Sequence, residues 1–151
     1  MALKEEFINN STLRSDQLQN EVGYHLKRAY VHMIEEFHLH MSEFRLRPGE
    51  FSILCIIEEN DDVTARQLSQ ALNIAPPNLV SLVENLCERN LIKKTVNEQD
   101  RRAQLLTLTN AGSTLLKNAK NASKEAQAKG LKNLSENEKE NLVLILKKLY
   151  Q

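Results

Sequence analysis

Pro76 and Pro77 stand side by side within Thr64–Leu86, a stretch that otherwise has helical periodicity. Proline lacks a backbone N–H and forces the residue before it out of the α region, so a helix arriving from Thr64 must stop before Ala75. The same ring suits the first turn of a helix, where the N–H has no partner anyway. The pair therefore predicts two short helices joined by a tight turn, "NIAPP". Thr64-Ala65-Arg66-Gln67 opens the first helix as a capping box, with a hydroxyl for the first free N–H groups and a Gln three residues on to answer it. That helix runs to about Leu72. Leu79, Leu82, Val83 and Leu86 form the buried face of the second, and Asn90 stands where a left-handed closing residue is wanted.

The next stretch reads "IKKTVNEQDRRAQLLTLT". Two β-favouring runs, Ile92–Val96 and Leu105–Thr109, flank a polar tip, Asn97 to Arg102. Two short helices, a tight turn and a hairpin make a winged helix-turn-helix with a two-stranded wing.

The flanks are helical. Leu18, Val22, Leu26, Ala29, Met33, Phe37, Met41 and Phe44 recur at steps of four or three, one stripe of a helix from roughly Asp16 to Phe44. A helix of more than ~25 residues calls for a partner helix. Arg47-Pro48-Gly49 breaks it, and Pro48 starts a helix with Phe51, Leu54 and Ile57 in line. Glu58–Asp62 reads as a solvated loop. Thr109 can cap a further helix carrying Leu115, Ala119, Ala122 and Ala126. Ser135-Glu136-Asn137-Glu138 is another capping box, opening a last helix with Leu142, Ile145, Leu146 and Leu149 on one face. The predicted fold is mainly α. It is a single domain, 1–151, with a winged helix-turn-helix lobe over 48–110 flanked by dimerisation helices over 13–46 and 113–151.

Composition narrows the function classes. The 151 residues are 41% hydrophobic, enough for one core. "MALKEEFINN" lacks the basic start and apolar run of a signal peptide, and no apolar stretch approaches the ~18 residues that span a membrane, so a cytoplasmic location is expected. Net charge is zero but unevenly spread: residues 1–60 carry 6 basic and 10 acidic side chains, residues 61–112 carry 6 and 6, and residues 113–151 carry 8 and 4. A purely electrostatic nucleic-acid binder would be basic overall, so any DNA affinity must come from locally placed cations. Gly is too scarce, at 4, for a phosphate cradle, and no nucleophile–base pair or carboxylate dyad stands out, so no catalysis and no cofactor are expected. His25, His32, His38 and His40 lack a matching His/Cys/Glu cluster in the later helices, so no metal is expected either. Cys55 and Cys87 read as buried, inert thiols.

"LRPGEFSIL" (Leu46–Leu54), "TARQLSQAL" (Thr64–Leu72), "NLVSLVENLCERNLI" (Asn78–Ile92) and "DRRAQLLTLTNAG" (Asp100–Gly112), in this order, resemble the MarR family of bacterial transcriptional regulators. The resemblance implies a homodimer interlocked through helices from both chain ends. It places the second helix of the motif in the major groove of double-stranded DNA and a wing arginine in a minor groove. By the family's Asp-x-Arg pattern Arg102 is the inserted residue, with Arg101 beside it and Asp100 bracing the tip. The chain departs from the pattern at Asn90, where Gly is frequent, and on the recognition helix, where Ser81, Glu84 and Asn85 replace basic residues.

Asn78, Ser81 and Asn85 lie opposite the apolar face of that helix. Either they are an ordinary polar surface, or they read base edges by amide and hydroxyl hydrogen bonds. Arg66 joins them as a DNA-contact candidate. Tyr24, Arg28 and His32 share a helix face at i, i+4 and i+8, and Phe44, Arg45 and Phe51 surround its end. These six either seal the dimer interface or hold an effector, for which ring and guanidinium suit a small aromatic carboxylate. Resemblance to family members that sense aromatic acids extends this to coenzyme A thioesters. The reading is a ligand-responsive repressor on a palindromic operator with half-sites ~34–36 Å apart. The alternative is a winged-helix protein-interaction module with little or no DNA binding, favoured by the zero net charge and by Glu84 and Glu88.

Overall fold

The computed structural model describes residues 15–96 and 104–151. Helices α1 (Val22–Met41) and α2 (Pro48–Glu59) come first, then the short strand β1 (Val63–Thr64), α3 (Ala65–Leu72) and α4 (Pro76–Glu88). Strands β2 (Ile92–Val96) and β3 (Gln104–Leu108) follow, and then α5 (Asn110–Gly130) and α6 (Glu136–Lys147).

The local signals act as their chemistry requires. The Thr64 hydroxyl accepts from Gln67 N, and the Gln67 side chain accepts from Thr64 N at 2.8 Å. Helix α3 closes on Asn73 in the left-handed region, with Ile74 N bonded to Ser69 O and Asn73 N to Gln70 O. Helix α4 starts at Pro76 and closes in the same way on Asn90 (φ 54°), with Leu91 N to Leu86 O and Asn90 N to Cys87 O. Asn tolerates that conformation, so both ends satisfy their last carbonyls without glycine. Ile53, Leu54, Leu68, Leu79, Leu86, Leu106 and Leu116 are fully buried and fuse α2, α3, α4, β3 and α5 around one core.

The structure adjusts four expectations. The helix predicted over Asp16–Phe44 is three pieces: a 3-10 turn at Leu18–Asn20, α1, and a 3-10 turn at Ser42–Phe44. Glu21 is extended, with ψ at 113°, and the His25 ring lies 2.9 Å from the Gln19 carbonyl. Gly23, a weak helix former, sits in the first turn beyond the break. Secondly, the two-stranded wing hairpin gains a third strand along the edge of β3. Val63 and Thr64 pair with Leu106 and Leu105, giving a three-stranded antiparallel sheet in the order β1-β3-β2. Buried Val63 brings the segment to the free edge of β3, whose backbone groups need partners. Thirdly, β3 ends at Leu108, because Thr109 is taken by the next helix: its hydroxyl accepts from Gly112 N at 2.9 Å. Glu58 and Glu59, predicted in a loop, extend α2, and Glu58 pairs with Lys120 of α5.

Helix α1 packs along α5. At the far end of this seam the His32 ring lies 3.0 Å from the Gly130 carbonyl, and a Cβ on Gly130 would meet Met33 Sδ at 2.6 Å. Helix α6 buries none of its residues. Ser135 caps it in a box with Glu138, whose carboxylate accepts from the Ser135 hydroxyl and backbone N–H. Those bonds hold the Glu138 carboxyl below its ordinary range. A depressed folded-state value means the contribution is complete above the ordinary carboxylate range and is lost as pH falls through the folded value. Acidification should therefore raise amide exchange at Glu138 while leaving the Thr64–Gln67 box, which has no carboxylate, unchanged. Hydrogen exchange between pH 6 and 3, corrected for intrinsic rates, checks this.

Candidate nucleic-acid interface

Helices α3 and α4 pack as the two arms of the motif, and their outer surface is the candidate DNA face. Arg66, Asn78 and Ser81 are exposed on it. Between the arms lies a cleft of about 390 Å³ lined by Arg66, Ser69 and Gln70 on one side and Pro76, Leu79 and Val80 on the other. Asn85, expected with Asn78 and Ser81, is half-buried. Its amide donates to Glu50 Oε1 at 2.8 Å, toward α2 rather than toward the exposed face.

Glu50 is the residue that periodicity does not reveal. It is 1% exposed, and its other oxygen accepts from Arg47 N at 2.8 Å. A buried carboxylate needs such partners, because an unanswered charge inside a protein is costly. Its position three residues after Arg47, which caps α2, was the available signal, since acceptors there answer free N–H groups. Arg89 was also missed. Its guanidinium donates to the carbonyls of Phe44 (2.7 Å) and Arg45 (2.8 Å), at the corner between α1 and α2. Glu84, an acid on the recognition helix, is paired with Lys94 of β2. That pairing answers one of the two carboxylates weighing against DNA at this face.

Asp100, Arg101 and Arg102 lie outside the described residues. The strands that carry them are in place: β2 and β3 pair in register from Ile92↔Leu108 to Val96↔Gln104. Ile92 and Leu106 are buried, so the base of the hairpin is anchored in the core.

The six effector candidates fall into two groups. Tyr24 and Arg28 stack, the guanidinium 5.9 Å from the ring centroid, and His32 lies below them against the end of α5. Phe44 and Phe51 pack on the core at the α1–α2 corner, and exposed Arg45 adopts the left-handed region (φ 50°). A groove of about 230 Å³ between α1 and α5 is lined by other residues: Tyr30, Met33, Ile34 and Phe37 facing Ser123 and Ala126. Phe37 connects it to the corner through an edge-to-face contact with Phe51 at 5.8 Å.

Burial pushes both thiols up, at Cys55 and Cys87, away from the thiolate form that reacts. Among the described residues no group of three His, Cys, Asp or Glu side chains could hold a metal ion. No helix among them is long and apolar enough to cross a membrane.

Comparison with known proteins bears on these surfaces. The sequence profile of the MarR family matches residues 46–103, which span α2 to the wing. A protein assigned as the transcriptional regulator of the hcr operon of Thauera aromatica is 26% identical over 135 residues, covering 89% of this chain and 81% of that protein. The structure of the transcriptional repressor CouR bound to a 23-mer DNA duplex superposes with a TM-score of 0.88. It is 27% identical and covers 93% of this chain and 100% of that one. The structure of CouR from Rhodococcus jostii RHA1 bound to p-coumaroyl-CoA superposes with a TM-score of 0.80, at 24% identity, covering 89% and 95% of the two chains.

Proposed function

We propose that this chain is a DNA-binding transcriptional regulator of the MarR family, a homodimeric repressor released from a palindromic operator by a small aromatic carboxylate or its coenzyme A thioester. The observation that carries the DNA half is the exposed face of the motif. Arg66, Asn78 and Ser81 project from two helices locked by their caps, beside a hairpin rooted in the core. In this reading Asn78 and Ser81 face base edges, where amide and hydroxyl groups discriminate. Arg66 faces phosphate, and Arg102 enters a minor groove with Arg101 beside it.

Dimerisation is supported by apolar surface that the single chain leaves uncovered. Val22 is 67% exposed on α1, and Ile145 is 59% and Leu149 61% exposed at the C-terminal end. Large apolar side chains left exposed in such numbers mark protein interfaces, and they lie in the two terminal helical regions, where dimerisation helices are expected. The effector half is supported by aromatic and cationic groups at the α1–α5 seam and the α1–α2 corner, and by CouR, whose structures hold DNA in one case and p-coumaroyl-CoA in another. Regulation through such a site needs only modest coupling, typically ~1–3 kcal/mol.

Two measurements test the proposal. Selection of bound sites from a random duplex pool should enrich a self-complementary sequence with half-sites about one helical turn, ~34–36 Å, apart. Sedimentation should show a dimer at micromolar concentration. A pool that enriches nothing, or a monomer, would overturn the operator-binding dimer. A thermal-shift screen of benzoates, hydroxycinnamates and p-coumaroyl-CoA should give at least one ligand that raises Tm and releases the selected site. Ligands that bind without releasing DNA, or none that bind, would remove the effector half alone.

A further inference from the structure

The recognition helix is tied at two points to the elements that lead out of α1, and we propose that Arg89 is the positioning residue that sets its pitch. This inference rests on the DNA-binding reading above. Arg89 closes α4, and both of its terminal nitrogens are engaged, Nη2 by the Phe44 carbonyl at 2.7 Å and Nη1 by the Arg45 carbonyl at 2.8 Å. These acceptors stand 45 and 44 residues away in sequence. The left-handed turn at Arg45 presents two successive carbonyls to one guanidinium. A non-glycine residue in that region is strained and persists where its surroundings require it. One turn earlier on α4, Asn85 donates to buried Glu50, which also answers the backbone of Arg47. Two fixed points on one helix, four residues apart, hold its direction against α2 and the corner that precedes it. Both sets of bonds are charge-assisted, one by the Arg89 guanidinium and the other by the Glu50 carboxylate, and such bonds are shorter and stronger than neutral ones. Since α1 ends at Met41 and the corner follows directly, the orientation of α4 is referenced to the dimerisation helix.

Arg89 would be assigned to a DNA phosphate on charge alone, and the two roles differ in what they change. A phosphate contact contributes to every sequence and to the salt dependence of binding; a positioning contact contributes to the match between protein and operator. The experiment compares wild type, R89Q and R89K on the site enriched by wild type and on a random duplex, across a salt series, with Tm and oligomeric state recorded. R89Q should lower the ratio of operator to random affinity by roughly ten-fold or more, with random-duplex affinity and salt slope unchanged and the dimer intact. R89K keeps the charge, but one ammonium is a poor substitute for the two-pronged fork, so its ratio should fall between the other two. The proposal is overturned if the R89Q ratio stays within about two-fold of wild type. It is equally overturned if operator and random affinity fall together with a salt slope smaller by about one, the signature of a lost phosphate contact. Should R89Q fail to fold, R89K decides: a ratio lowered roughly three- to ten-fold with wild-type random affinity supports positioning, and a wild-type ratio overturns it. A wild-type protein that prefers no sequence would instead overturn the DNA-binding reading, before any variant is compared.

Discussion

Arg102→Ala is expected to weaken operator binding roughly 30-fold to 10⁴-fold while leaving the dimer and its melting temperature unchanged. A guanidinium suits a narrow minor groove, where the potential is most negative. Removing one such contact costs on the order of 1–3 kcal/mol, and a two-fold dimer carries two wings, so about 2–6 kcal/mol is lost per complex. Stability should not respond, because the hairpin is held at its base by buried Ile92 and Leu106 and by the paired backbones of β2 and β3. Arg101→Ala should have a smaller effect, since in the proposed reading, by resemblance to the family's Asp-x-Arg pattern, Arg102 is the inserted residue. Titration of the selected operator with each variant, alongside sedimentation, checks both. Wild-type affinity in Arg102→Ala would mean that the wing does not enter the groove.

The second large effect is on folding. Gly112→Ala should destabilise the protein by about 3 kcal/mol or more, lowering Tm by roughly 6–12 °C in a chain of this size. Gly112 lies in the first turn of α5, where Thr109, at the end of the wing, caps the helix. The Thr109 N–H donates to the Leu91 carbonyl at 3.0 Å, and its hydroxyl both donates to the Asn90 carbonyl at 2.7 Å and accepts from Gly112 N. This knot brings α5 onto the residues that close the recognition helix. A Cβ added at Gly112 would stand 1.9 Å from the Leu91 carbonyl oxygen and 2.9 Å from its carbon. Both atoms are backbone and cannot rotate away as a side chain would. Relief requires moving the start of α5 or the end of α4, and either breaks the knot. Urea or thermal unfolding measures the loss. A Gly112→Ala protein as stable as wild type would show that the helix start shifts freely. Substitution of Gly23, whose Cβ would meet nothing within 4 Å, is the matched control.

Gly112 also shows why "LTLTNAG" carries a family likeness. Thr109 and Gly112 are spaced for one helix N-terminus, and the spacing is visible in the chain. The close approach of Leu91 that makes glycine necessary becomes visible only once α4 and α5 are packed.

The same division runs through the molecule. The sequence by itself determined the features whose physics is complete within a few residues. The Thr64, Thr109 and Ser135 caps, the stop before Pro76, the left-handed closure at Asn90 and the stripe Leu79, Val83 and Leu86 all have their partners within one or two helical turns. They suffice to predict a helix-turn-helix followed by a hairpin. The tertiary structure alone decided what depends on residues distant in the chain. Val63 became a third strand because β3 offered an unpaired edge 43 residues later. The inward turn of Asn85 was settled by a buried carboxylate on α2, and the task of Arg89 by a left-handed corner at Arg45. Periodicity marks Asn85 and Arg89 only as polar. A polar side chain on a helix bonds to water, base, phosphate or protein according to what faces it, and that is fixed by packing between elements rather than by the pattern within one.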